Sequence, residues 1–187
     1  MRGAGLIGAI DMCLDRFGRS ASHEVIARLS SAGRALVSPH APSMGIAPGR
    51  LYPYAVVGEV FRTYAKVVSV PEDVLIRDAA IAGVDRNLSS LNRALLRYLV
   101  TIDNVAARAQ QTWDMFHDSG RLVIAVSGRN EYVVETHDWP NHDVTVCKLS
   151  MEGRRHVVEL SGKKSPKLWR DKCQAYGQHI CVSRVVW

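Results

Sequence analysis

The period of the hydrophobic pattern changes once along this chain, at Gly120, and that change bounds the possible folds more tightly than any other feature. Before it, apolar residues recur at helical spacing. Leu6, Ile7, Ile10, Leu14 and Phe17 mark a first helix that Gly18 ends. Ser20 or Ser22 then caps a second helix carrying Val25, Ile26, Leu29 and Leu36. Residues 38–53 are rich in Pro and Gly and read as a long loop, and residues 54–68 form a third helix. Pro71-Glu72-Asp73 opens a fourth over 74–84, because proline suits a first turn and acids favour a helix N-terminus. The longest helical candidate covers 91–117 and stops at Asp118-Ser119-Gly120.

After Gly120 the pattern alternates. Residues 121–127 and 131–136 read as a hairpin about Gly128-Arg129-Asn130, with Leu122, Ile124 and Val126 on one face and Val123 and Ala125 on the other. Asp138-Trp139-Pro140-Asn141 interrupts the strands, 144–147 resumes them, and 149–160 is a short helix closed by Ser161-Gly162. Residues 168–173 and 180–186 form a last hairpin. Helices followed by strands predict an α+β fold, an N-terminal helical layer packed on a C-terminal antiparallel sheet. A length of 187 residues with 47% apolar composition suits one domain over 1–187, mainly helical over 1–119 and sheet with one helix over 120–187.

Composition narrows the function classes. The net charge is +6, yet the densest basic stretch, 154–172, is interrupted by Glu159 and Asp171 and carries no nucleic-acid-binding motif. It reads as a solvated face, and nucleic acid is not the expected partner. The apolar run near the N-terminus is broken by Asp11 and lacks a cleavage site, so a leader is not expected; nor does any stretch reach the length of a membrane span. The expected compartment is a reducing cytoplasm, which disfavours disulfides. Nucleophile elbows, phosphate-binding loops, dinucleotide fingerprints and HExxH motifs are all missing, so no catalysis is expected.

Chemistry concentrates in the second half. Three of the four cysteines, Cys147, Cys173 and Cys181, lie there, and Gly177 sits between the last two. A turn at Tyr176-Gly177-Gln178 would bring Cys173 beside Cys181. Such thiols bind a metal such as zinc, form a disulfide, or pack as small core residues. Tyr98, Trp113 and Phe116, joined by Trp139, are candidates to line an apolar pocket between helices and sheet, although that spacing is also the spacing of ordinary core. Trp139 belongs to a polar loop with His137, His142 and Asp143.

The elements over 120–187, namely a hairpin, a strand ending in Cys147, a helix, a turn at Gly162 and the Cys173-x7-Cys181 hairpin, resemble the 4-vinyl reductase domain, a small-molecule sensor. That domain shares its superfold with haem-nitric-oxide-binding sensors and Golgi-transport tethering subunits. The helical first half and the terminal Val185-Val186-Trp187 are also similar to a myxobacterial paralogous family of this superfold. The resemblance implies a non-catalytic, ligand-binding signalling domain that takes a small apolar molecule and passes its signal to a partner protein or through a homodimer. It also implies a structural zinc on Cys147, Cys173 and Cys181. The family's fourth ligand, a Glu three residues before the first cysteine of the pair, is Arg170 here, which leaves His179, or alternatively His142, to complete the set. The porphyrin-binding Tyr-x-Ser-x-Arg motif of the haem relatives is absent. A scaffold module with no small ligand is the competing expectation.

Overall fold

The computed structural model describes residues 1–88, 102–128, 130–140 and 142–187. Its helical part comprises α1 (Ile7–Arg28), α2 (Ser31–Arg34), α3 (Tyr54–Val67), α4 (Glu72–Asn87) and α5 (Ile102–Phe116). The sheet part follows as β1 (Arg121–Gly128), β2 (Glu131–His137), α6 (Val144–Leu160), β3 (Lys167–Lys172) and β4 (Cys181–Val186). The fold is α+β, as the change of period predicts.

Gly18 leaves helical geometry at φ 77°, ψ 170°, so α1 is two helical pieces that meet where the sequence places a break. The second piece ends at Arg28, before Leu36, and Ser30 caps the short α2 by accepting from the Gly33 N–H. Ser22 is no cap. It is buried within α1, where its hydroxyl shares a 2.6 Å hydrogen bond with that of Tyr64 on α3. Helices α3 and α4 start after Pro53 and Pro71, close to expectation. Of the long helix expected over 91–117, the described part is α5; Tyr98 lies outside the described residues.

The four-stranded sheet is antiparallel throughout, in the order β1-β2-β4-β3. The first hairpin pairs Arg121 with His137 through to Gly128 with Glu131. On its inner face Leu122 and Ile124 pack against the cluster of Tyr132, Val134, Val158 and Val185. The last strand, β4, is central, between β2 and β3. It sets Cys181 opposite Thr136, at the end where β2 leaves the sheet.

One expected strand is a helix. Val144-Thr145-Val146-Cys147 is the first turn of α6, because the Asp143 carboxylate accepts from the Thr145 N–H and caps the helix there. A short β-branched run looks the same in a strand and in a buried helical turn. Helix α6 lies between the sheet and α4. Val158 joins the sheet's inner cluster, while Lys148 pairs with Asp73 and Thr145 donates to Glu72.

Candidate metal centre

Three pieces of chain deliver four ligand atoms to one point. The loop leaving β2 carries His142; Cys147 is on the first turn of α6; Cys173 and Cys181 flank the turn between β3 and β4. The Nε2 or Nδ1 of His142 and the three Sγ atoms all lie within 4.8 Å of one another. His142 Nε2 is 3.5 Å from Cys173 Sγ and 3.4 Å from Cys181 Sγ, and the two sulfurs are 4.0 Å apart. A tetrahedron with the usual zinc bond lengths has edges of about 3.8 Å between sulfurs and about 3.6 Å from sulfur to nitrogen. These three edges lie close to those lengths, and those to Cys147 Sγ are at most 4.8 Å. A disulfide needs sulfurs at about 2.05 Å, and all four cysteines are free.

Local structure explains why the atoms converge. Gly177 takes φ 82°, which an L side chain resists, and so closes the turn that follows the 3-10 segment Gln174–Tyr176. Within that turn the Cys173 N–H donates to Gln178 Oε1 at 2.5 Å, and the Gln174 N–H points at Cys181 Sγ at 3.3 Å. The Gln174 side-chain amide donates to the His179 carbonyl. On the other side, Asp143 holds the loop. Besides capping α6, it accepts from Arg62 Nη1 of α3 at 2.6 and 2.8 Å, and Arg62 also reaches Thr145 Oγ1 at 2.9 Å. The histidine just before this anchored aspartate is thereby fixed over the cysteine turn.

His142, and not His179, completes the quartet. His179 is exposed at the tip of the turn, because closing the hairpin tightly enough to join Cys173 and Cys181 turns the intervening side chains outward. Arg170 lies on β3 with its Nε 3.4 Å from Met151 Sδ. Asp171 projects from the other face to pair with Arg184. Cys13 is buried apart, in α1.

The three cysteines are closed off from water, with Cys147 2%, Cys173 0% and Cys181 6% exposed. The Cys173 and Cys181 thiols are shifted in opposite directions. Hydrogen bonding to Cys147 and burial push Cys173 up to about 12, whereas the bond from Cys147 holds Cys181 below the ordinary thiol range. Burial alone would lower His142, but its contacts with the Cys147 and Cys173 thiols outweigh this and raise it. A dication would displace these protons on entry. With four protein ligands and no open coordination position, the arrangement is that of a structural site.

The aromatic candidates are arranged differently from a pocket wall. Trp113 stacks on His117 with ring centroids 3.6 Å apart, and Trp139 meets Trp113, His117 and Tyr54 edge-on. Trp139 also touches His142, at 4.8 Å between centroids. These rings fill the junction between helices and sheet. Phe116 is separate and half-buried, close enough to Gly5 that a Cβ there would lie 3.1 Å from its ring. Sequence reasoning missed His117 and Tyr54, whose Nδ1 and hydroxyl are 3.2 Å apart. Tyr54 opens α3 and His117 follows the last residue of α5, positions that carry no distinguishing signal in the sequence.

No family model matches the chain, and no curated protein does. Solved structures do. An Fe(II) unliganded H-NOX protein from K. algicida superposes with a TM-score of 0.70 at 12% identity, covering 100% of this chain and 96% of that one. The S. oneidensis H-NOX protein in its Fe(II)NO state gives 0.68 at 12% identity over 99% and 98% of the two chains. A point mutant of the T. tengcongensis H-NOX protein gives 0.67 at 12% identity over 100% and 97%. The described residues therefore take the H-NOX fold.

Proposed function

We propose that this chain is a non-catalytic sensor-type domain of the H-NOX fold, with a structural zinc as its resident metal. One observation carries the reading: one imidazole nitrogen and three thiol sulfurs, a Cys3His donor set, lie within 4.8 Å of one another in a largely buried corner. His142, Cys147, Cys173 and Cys181 would hold the ion. Zinc there would crosslink the ends of β3, β4 and α6 and the loop after β2. Within the superfold, the Cys-x7-Cys turn makes the 4-vinyl reductase type the better functional analogue. Output then passes through a partner protein or a homodimer.

Haem does not suit the residues described. The H-NOX neighbours include proteins studied for haem distortion. Here the space beside α6 and the sheet is too narrow to admit a water molecule, whereas ordinary ligand pockets hold roughly 300–1,000 Å³. His117, a buried histidine near this junction, already engages Tyr54 through Nδ1 and Trp113 through its face. Among the described residues the Tyr54–Trp113–His117–Trp139 cluster occupies the ground where the sequence places a small apolar ligand. That filling favours a second reading, an interaction module whose interior is packed by its own side chains.

Native mass spectrometry with elemental analysis of the purified chain tests both. One zinc per chain supports the metal reading, and chain without zinc after expression and reconstitution refutes it. A co-purified small molecule would favour the sensor over the interaction module.

A further inference from the structure

A cation with two buried donor atoms lies beside the thiols, and among the described residues no carboxylate pairs with it. Arg154 lies on α6 seven residues, about two helical turns, after Cys147, so both occupy one face of the helix. A long side chain on a helix leans toward its N-terminus, which here is toward Cys147. The Arg154 Nε and Nη1 are shut off from solvent and have no hydrogen-bond partner. No carboxylate pairs with Arg154 among the described residues. The guanidinium instead lines the enclosed space whose wall includes Cys147 and Cys181. Two more donors without partners, Trp139 Nε1 and Ser183 Oγ, belong to residues that line the same space.

Leaving a guanidinium unpaired in a protein interior is strongly unfavourable, so a retained one calls for an anion. A dication held by three thiolates and a neutral imidazole carries a net charge of −1. Resting on the zinc reading above, we infer that Arg154 is the built-in counter-charge of the metal centre, a positioning residue that makes the loaded site electrically neutral. Burial pulls the Arg154 pKa down, and the groups that pull it back up are Cys147, Tyr132 and Cys181, two of them ligands. The same arrangement disfavours a monovalent ion, which would leave the centre at −2 against one compensating charge.

The inference makes Arg154→Met act in opposite directions on the loaded and empty protein. Competition against a chromophoric chelator should show zinc held about 10- to 100-fold more weakly by the variant, the range for lost outer-shell partners of a metal site. The chelator-treated variant should melt at or above chelator-treated wild type, because an apolar side chain of similar length replaces an uncompensated charge. Arg154→Lys should recover most of the affinity. Equal zinc affinity in wild type and Arg154→Met, or a metal-free variant that melts lower, would overturn the inference while leaving the zinc site standing. Wild type that binds no zinc would remove both. Should Arg154→Met not fold, Arg154→Gln, which keeps polarity but drops the charge, must show the same loss of affinity.

Discussion

Replacing Cys173 by Ser separates a metal-bearing site from a set of packed thiols. Cys173 is fully buried, and its Sγ lies 3.5 Å from His142 Nε2 and 4.0 Å from Cys181 Sγ. If zinc occupies the quartet, wild type gains the free energy of metal binding to the folded state, about 4 kcal/mol when free zinc is a thousandfold above the dissociation constant. Serine retains the volume but not a soft thiolate donor, so nearly all of that linked stability disappears. For a chain of this size about 4 kcal/mol corresponds to roughly 8–16 °C in Tm. Scanning calorimetry of wild type and variant, each with zinc and with a chelator, gives four melting temperatures. The expected pattern is a large gap with zinc that shrinks with chelator to the ~1 kcal/mol of a buried polar substitution. A gap of the same size in both conditions, or wild type indifferent to chelator, would refute the reasoning.

Three further perturbations probe what positions the site. Asp143→Ala removes the cap of α6 and the acceptor of Arg62, and should cost about 2–3 kcal/mol in urea unfolding, against under ~1 for a plain surface change. Burial first, then the N-terminal amine and Arg154, push His117 down to about 3, against an opposing pull from Asp118. The unfolded chain therefore takes up a proton that the folded one refuses. Stability should be complete above about pH 6.5 and fall by about 2 kcal/mol at about pH 5, a loss that His117→Gln lacks; comparing the two proteins cancels the pH dependence of the metal centre. At Gly8, an added Cβ would sit 2.6 Å from the Ala82 carbonyl of α4, so Gly8→Ala should force α1 and α4 apart and cost about 1–3 kcal/mol by chemical denaturation. A neutral result there would mean that the two helices approach less closely than described.

Most of the elements, and their order, follow from the amino-acid sequence alone, the strand expected over 144–147 excepted. Periodicity marks the break at Gly18, the starts after Pro53 and Pro71, and both hairpins, because each depends on residues only a few positions apart. It also brings Cys173 and Cys181 together, since one glycine turn spans them. Long-range packing settles the rest. That β4 lies between β2 and β3 is a distant pairing that no local pattern encodes, and it carries Cys181 to the end of β2, where His142 arrives. Val144-Thr145-Val146 is helical because Asp143, held by Arg62 of α3, caps it; β-branched propensity alone favours a strand. His142 and His179 are equally plausible ligands along the chain, and the closed turn that sends His179 into solvent settles their difference. Arg154 reads in sequence as one more charge in a basic run. Its burial beside the thiols exists only because α6 packs between the sheet and α4.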